Sequence, residues 1–458
     1  MGEPYCTKKL SGWGRIRPRE CRAYRPERRR DVAAILEEDT PHYIAQGLGR
    51  SYGDPAVNEG GGVVGFERLN RMLDFNADTG VLHCEAGVSL AEVLECFLPR
   101  GWFLPVTPGT KFVTVGGAIA NDVHGKNHHA DGTFGRFVEE LTLLTPGGDT
   151  LACSPQDNED IFWATVGGIG LTGFILTARV RLIRVPTAYV TVDYHKSPNL
   201  DDALATMAES DARYKYSVAW IDCLARGKDL GRAVLMRGNH ARAQDLSLFQ
   251  REHPLRVPGK RAKSVPCDFP RFVLNSASVK AFNTLFYTHH YTRPGALVDY
   301  DSYFYPLDGI HNWNRMYGKT GFVQYQATFP EDEVRGVVRT LEALSQSRRP
   351  SFLAVLKRFG DANPGLLSYP FRGYTLSLDI ANRSGLPAFL KQLDAILLDH
   401  GGRLYLAKDA LTDAGTFRAM YPRTGEFLGV KERLDPQGVL SSSMARRLGL
   451  AQEPGGGP

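Results

Sequence analysis

"TPGTKFVTVGGAIANDVHGKNHH" (Thr107–His129) places four glycines, three histidines and two lysines in one stretch. Such letters serve a metal site, a phosphate loop, or backbone laid against a flat ligand. His124, His128 and His129 offer imidazoles, but no Cys, Asp or Glu completes a familiar ligand spacing, so a metal is not expected. A phosphate loop around Gly125-Lys126 needs a glycine five residues before Gly125 and a Ser or Thr after the lysine. Those positions hold Ala120 and Asn127. What remains is glycine used for close backbone approach.

Working outward, "AQGLGRSYGD" (Ala45–Asp54) has the composition of an anion nest. Gly47 and Gly49 let successive N–H groups converge, and Arg50 and Ser51 add donors. The plainer alternative is a tight turn after a strand. Downstream, Gly168, Gly170 and Gly173 of "GGIGLTG" fit G-x-G-x-x-G. A dinucleotide fingerprint leaves a strand and opens a helix, whereas here a helix precedes and a strand follows, so the NAD reading is rejected. Three separated glycine-rich segments suit one long, bent ligand.

The first half reads as short strands and two helices. Ser89 caps one helix carrying Leu90, Val93, Leu94, Phe97 and Leu98 at helical spacing, with Gly101 past its end. Another is expected to open at Ser154-Pro155 and to end at the glycines after Val166. "LTGFILTARVRLIRV" alternates as a strand. In the second half, strand–helix–strand appears twice, through "GFVQYQATF" to "SFLAVLKRF" and through "GYTLSLDIA" to "RLYLAKD". That pattern predicts an antiparallel sheet with helices on one face, a ferredoxin-like arrangement. Residues 241–270 are basic, proline-containing and aperiodic, and read as a mobile loop.

Bulk properties set bounds. Hydrophobic content of 43% and charged content of 23% are ordinary for a globular chain, and a net charge of +5 calls for no nucleic acid. No apolar run suggests a membrane span or a secretion signal. Seven scattered cysteines without a C-x-x-C pair read as reduced thiols, predicting a cytoplasmic location.

Together, "GRSYGD", "PGTKFVTVGGAIANDVHGKNHH", "FWATVGGIGLTG", "FVQYQ" and "LYLAKD" resemble the FAD-dependent oxidoreductases of the vanillyl-alcohol-oxidase-like (PCMH-type) superfamily. Within it they are most similar to the subgroup that oxidises polyprenylphosphoryl ribose. The resemblance runs from Lys9–Arg15 to Asp435–Leu448. It implies a two-domain α+β fold: an FAD-binding domain from 1–185 and the 416–458 return, and a ferredoxin-like α+β substrate domain over 186–415. It also implies that Ala45, Gln46, Gly47, Leu48, Gly49, Arg50, Ser51, Tyr52, Gly53, Asp54 and Pro55 hold the FAD pyrophosphate. Gly109, Thr114, Val115, Gly116, Gly117, Asn121, Asp122, Val123 and His124 match positions along the flavin and its ribityl chain, and Ile175 and Tyr405 match two more. Gln46–Asp54 holds no His or Cys, so FAD is expected to be non-covalent.

Lys408, with His124 and Tyr405, forms the implied catalytic set. A cation at the flavin face favours negative charge on the reduced ring, although a strand-end surface lysine is the alternative. Gln324, Gln326 and Lys357 either meet a substrate phosphate or line a polar sheet face. Tyr52 and Trp220 either wall a sugar pocket or pack a core. Ser377 stands where some relatives carry cysteine, and Ile169 where some carry asparagine. The implied reaction oxidises the 2'-hydroxyl of a polyprenylphosphoryl-β-D-ribofuranose to the ketone. A separate NAD(P)H-dependent keto-reductase then completes the epimerisation to the arabinose donor of a cell-wall polysaccharide. A free alditol or aldonolactone is the alternative substrate. The basic loop near Lys260, Arg261 and Lys263 is either solvated or a peripheral contact with the membrane holding the lipid phosphate.

Overall fold

The computed structural model describes residues 4–347 and 349–452; the ends of the expected outer segments, 1–3 and 453–458, lie outside these. The N-terminal part carries two larger sheets and a two-stranded pairing of Trp102–Phe103 with Ile183–Arg184. One has four strands in the order Cys6–Leu10, Arg19–Tyr24, Gly62–Gly65, Tyr43–Gln46. The other has five antiparallel strands in the order Met72–Asn76, Val81–Glu85, Phe174–Arg181, Val138–Leu144, Thr150–Cys153.

Local signals account for the helices between them. Ser89 Oγ accepts from the Glu92 amide at 3.1 Å while the Glu92 carboxylate accepts from the Ser89 amide at 2.7 Å, a reciprocal cap on Leu90–Phe97. Leu90, Val93, Leu94 and Phe97 are buried, and Gly101 takes φ +80° after a closing 3₁₀ turn. The helix expected at Ser154-Pro155 begins instead at Glu159. Ser154 Oγ accepts from the Gln156 and Asp157 amides, holding a turn, and Asn158 at φ +52° then redirects the chain. The C-terminal segment returns to this half. Tyr43 donates its amide to Val439 and accepts from the Ser441 amide, and Arg447 ion-pairs with Asp54 at 2.6 Å.

The remaining chain forms one eight-stranded sheet made of two βαββαβ repeats. The first runs through Tyr189–Ser197, helix Leu200–Ser210, Tyr216–Ile221, Ala233–His240, helix Ser276–His289 and Arg293–Asp299. The second runs through Phe322–Pro330, helix Val334–Gln346, Ser351–Phe359, Gly373–Ala381, helix Leu386–Asp399 and Arg403–Leu404. Each has the spatial order fourth–first–third–second, and the second strands of the two repeats join edge to edge at Ala219↔Leu356 and Trp220↔Val355. Sequence reading found the second repeat only. The first hides because Tyr189–Ser197 mixes Asp, His and Lys into its strand.

Period-2 alternation splits the sheet into two faces. Leu356, Leu376, Leu378, Ile380 and Tyr325 pack with Leu341, Leu344, Leu393 and Leu397 of two helices and with Leu204 and Met207 of a third. Gln324, Gln326, Thr375, Ser377, Asp379 and Lys357 alternate with them along the same three strands. The two helices expected on one face, Val334–Gln346 and Leu386–Asp399, lie there, and Leu200–Ser210 joins them. The helix Ser276–His289 lies on the other side, with Phe286 4.5 Å from Trp220 and Phe282 4.9 Å from Phe352.

Two further expectations change in detail. Residues 241–270 contain a helix, Leu248–Glu252, and a short strand, Lys263–Ser264, that pairs with Ile310–His311. Lys260 pairs with Asp299 at 2.6 Å. "RLYLAKD" is strand only at Arg403–Leu404, and Lys408 sits in the following turn, its amide donating to Tyr405. Among the described residues no helix is long and apolar enough to cross a membrane.

Candidate active site

Between the glycine-rich segments and the polar face of the eight-stranded sheet lies a cavity of about 1130 Å³. At one end is the turn after the strand Tyr43–Gln46. Gly49 takes φ +63°, and a Cβ there would meet nothing within 4 Å, so conformation rather than crowding demands glycine. A Cβ on Gly47 would fall 2.3 Å from Thr114 Oγ1, so glycine lets this turn and the Thr114 helix start touch. Among the described residues the amides of Gly47, Leu48, Gly49, Arg50 and Ser51 donate to no protein acceptor. Five consecutive free N–H groups facing a cavity form a receptor for a diphosphate. Further along, Asn121 Oδ1 and His124 Nδ1 are buried without partners. A long cavity with a diphosphate nest at one end and open polar valences along its wall fits FAD.

The cavity is also cationic. Lys126, Lys357 and Lys408 all line the cavity. Lys126 Nζ lies 4.2 Å from the Tyr303 ring centre and Lys408 Nζ 3.9 Å from that of Tyr52. Burial brings Lys357 down to about 8. Burial and then the Lys357 charge bring Lys126 down to about 7. Burial also lowers Lys408 to about 7, opposed by Asp379 and reinforced by Lys357. Asp379, fully buried, is pushed up to about 7 by burial, against its hydrogen bond from Gln324 (2.6 Å) and the Lys408 charge. Asp379 Oδ2 has no partner. Three lysines set against this carboxyl make a cavity that gains by admitting anions.

His124 sits between the Phe359, Tyr405 and Tyr369 rings at 4.8, 5.0 and 5.5 Å. Burial, then the Lys357, His128 and Lys408 charges, holds it neutral, well below the usual histidine range. With the Gln326 amide nitrogen donating to Nε2 at 2.8 Å, the ring proton lies on Nδ1 as a free donor. The other two histidines turn elsewhere. His128 Nδ1 accepts from the Gly360 amide, and His129 Nε2 pairs with the Tyr214 carbonyl at 2.8 Å.

The structure brings nearly all the sequence-predicted residues to this cavity. Ala45 to Gly53, Pro55, Gly109, Thr114, Gly116, Gly117, Asn121, Val123, His124, Ile175 and Tyr405 line it, as do Gln324, Gln326, Lys357, Trp220, Ser377 and Lys408. Three side chains do not. Asp54 turns away to Arg447, Val115 is buried in the hydrophobic core, and Asp122 binds Ser368, Asn363 (2.6 Å) and the Gly135 amide. Each braces the wall from behind. The Tyr405 hydroxyl donates to the Asn121 carbonyl at 2.8 Å, which commits its proton and leaves the ring as a wall. Ile169 lines the cavity at φ +49°, a conformation that asparagine adopts more readily than a β-branched residue.

Sequence reasoning missed Asp379 and Lys126. Lys126 stood within the quoted stretch and was weighed only as a phosphate-loop lysine. Asp379 becomes visible only once strand register places it opposite Gln324.

The comparisons with known proteins agree with this geometry. A profile described as FAD binding domain matches residues 22–154, and one described as D-arabinono-1,4-lactone oxidase matches 324–448. The chain is 40% identical to a decaprenylphosphoryl-beta-D-ribose oxidase of Mycolicibacterium smegmatis, over 98% of both chains. It is 34% identical to an uncharacterized protein of Streptomyces coelicolor, over 79% of this chain and all of that one. An L-gulono-1,4-lactone dehydrogenase of Mycobacterium tuberculosis is 22% identical over 91% of this chain and 92% of its own. Fold, cavity and matches define an FAD-dependent oxidoreductase. Within that class, the chain belongs to the decaprenylphosphoryl-β-D-ribose oxidase family.

Proposed function

We propose that this enzyme oxidises the 2'-hydroxyl of a polyprenylphosphoryl-β-D-ribofuranose to the 2'-ketone, the first half of an epimerisation to the arabinose donor of a cell-wall polysaccharide. The observation that carries this reading is the lysine trio Lys126, Lys357 and Lys408 in the cavity that also holds the diphosphate nest. FAD, when bound, supplies the acceptor for the hydride. The nest amides of Gly47 to Ser51 hold its diphosphate, and Gly116, Gly117, Asn121 and His124 line the remainder. Because Gln46–Asp54 contains no His or Cys, this segment offers no side chain for covalent attachment.

The residues of the chain do the rest. Lys357 and Lys126 take the substrate phosphate as charge-assisted donors. Gln324, Gln326 and Ser377, side by side on adjacent strands, orient the sugar. Lys408, lowered to about 7, is partly amine at neutral pH and receives the hydroxyl proton, while Asp379 stabilises the ammonium that forms. The Tyr52 and Tyr405 rings and Trp220 exclude water. The ketone then requires a hydride donor, which we assign to a separate NAD(P)H-dependent reductase, since the chain shows no dinucleotide fingerprint in strand-to-helix order. A lipid-linked substrate also implies peripheral contact with a membrane surface.

The test is chemical. Product formed from a short-chain prenylphosphoryl ribofuranose and trapped with borodeuteride yields ribose and arabinose labelled at C2. Absence of C2 label, with the substrate consumed, overturns the assignment. The match of 324–448 to a lactone oxidase profile favours one other reading, a free aldonolactone or alditol substrate. Such a substrate carries no phosphate, so its turnover survives Lys357→Met.

A further inference from the structure

The apolar end of the cavity leads to the helix Ser276–His289. Trp220, Met236, Phe352, Phe286 and Phe282 line that end, and Phe282 is also exposed at the surface. The outer side of the helix is unusual for one facing water. Its fourteen residues include no Asp or Glu. Ala277, Ala281, Thr284, Leu285 and Thr288 are exposed beside Lys280. Leu285 is 69% exposed, and the segments flanking the helix add Phe272 at 75% and Tyr291 at 61%. Isolated exposed apolar side chains are ordinary, but a row of them along one helix and its two ends marks an interaction surface.

Charge identifies the occupant. From Arg271 to Arg293 the chain carries three Lys or Arg residues and no Asp or Glu. Arg271, Lys280 and Arg293 are all exposed around the apolar row. Apolar side chains ringed by cations match an anionic bilayer, whose headgroups attract the cations while the acyl boundary takes the hydrocarbon.

We infer that the exposed face of Ser276–His289, with Phe272 and Tyr291, seats the enzyme on an anionic lipid bilayer. The inference rests on the lipid-linked substrate proposed above and names the surface that meets it. A prenyl chain entering past the exposed Phe282 then passes from membrane to cavity along the apolar lining without crossing water. The basic loop around Lys260, Arg261 and Lys263 is not part of this proposal, since its Lys260 is already paired with Asp299.

The test uses the FAD-loaded full chain and vesicles of phosphatidylcholine with and without phosphatidylglycerol, read by co-flotation. Wild type is expected to float with the anionic vesicles and to be released by salt. Phe272→Glu combined with Leu285→Glu lowers the bound fraction by about tenfold or more. Neither residue lines the cavity, so FAD content and turnover of a short-chain substrate remain at wild-type level. Leu285→Trp gives a second readout, a fluorescence blue shift on anionic vesicles only. Wild type that ignores anionic vesicles overturns the inference, as does a double variant that floats like wild type. A double variant that instead converts a dimer to a monomer, with no vesicle binding by either form, assigns the face to a second copy and also overturns it. Flotation is read without substrate, so failure of the substrate assignment is seen separately in the turnover arm.

Discussion

The two faces of the eight-stranded sheet share every strand and differ in almost everything else. Along Gly373–Ala381, Leu376, Leu378 and Ile380 enter a dry core under three helices, while Thr375, Ser377 and Asp379 lie on the opposite face, where Ser377 lines the cavity. On the core side hydrophobic burial and close packing set the energetics. On the cavity side burial works against the groups present, lowering three lysines and raising an aspartate toward neutrality. One strand can therefore be a stability element in its even residues and a site in its odd ones. The stored cost on the cavity face is released when anionic ligands arrive.

The largest expected effect breaks the core face. Leu378→Ala, at a fully buried position, should cost about 3 kcal/mol of stability by chemical denaturation. Turnover per FAD-loaded folded molecule should be nearly unchanged, and a collapse in turnover would show that the faces are not separable.

Next comes the cavity face. Lys357→Met should weaken binding of the phosphate-bearing substrate by about 10- to 100-fold while leaving the melting temperature level or raised. The pH dependence follows in sign. Free Lys357 titrates at about 8, and a bound phosphate favours its ammonium form, so binding takes up a proton above that pH. Affinity should hold below pH 7 and fall by up to about tenfold per pH unit above 8. Calorimetry in buffers of different ionisation enthalpy reads the proton uptake, which should shrink in Lys357→Met to the part carried by Lys126.

A smaller effect sharpens the role of Asp379. Its charge holds Lys408 up, so Asp379→Asn should move the Lys408 limb of the pH–rate profile to lower pH while Gln324 keeps a hydrogen-bond partner. A limb that does not move would leave Asp379 with a structural role only. The smallest concerns Ile169. Relief of its left-handed strain offsets lost apolar contact, so Ile169→Asn should change stability by no more than about 1 kcal/mol in a thermal melt.

Much of this was legible in the sequence, for physical reasons. Glycine at Gly47, Gly49, Gly116 and Gly117 announces backbone approach, and alternation in Phe322–Pro330 announces a two-faced strand. The N-cap at Ser89 fixes a helix start locally. Three kinds of information were not local. Asp379 acquires meaning from its cross-strand partner, and Lys126 from the depth of its burial. The helix Ser276–His289 carries an ordinary pattern, and only the fold shows that it leaves its three counterparts to cover the cavity mouth. Asp54 and Asp122 lay inside the right segments but turn outward, a distinction that side-chain direction alone makes.

The most direct test of the central claim is an anaerobic visible titration of FAD-loaded wild type and Lys408→Met with a short-chain prenylphosphoryl ribofuranose. The account predicts bleaching of the flavin band in wild type at a rate that falls by about a thousandfold in the variant, with FAD still bound. A wild-type band that bleaches with a free aldonolactone but not with the phosphorylated sugar, or a variant that bleaches at the wild-type rate, would contradict it.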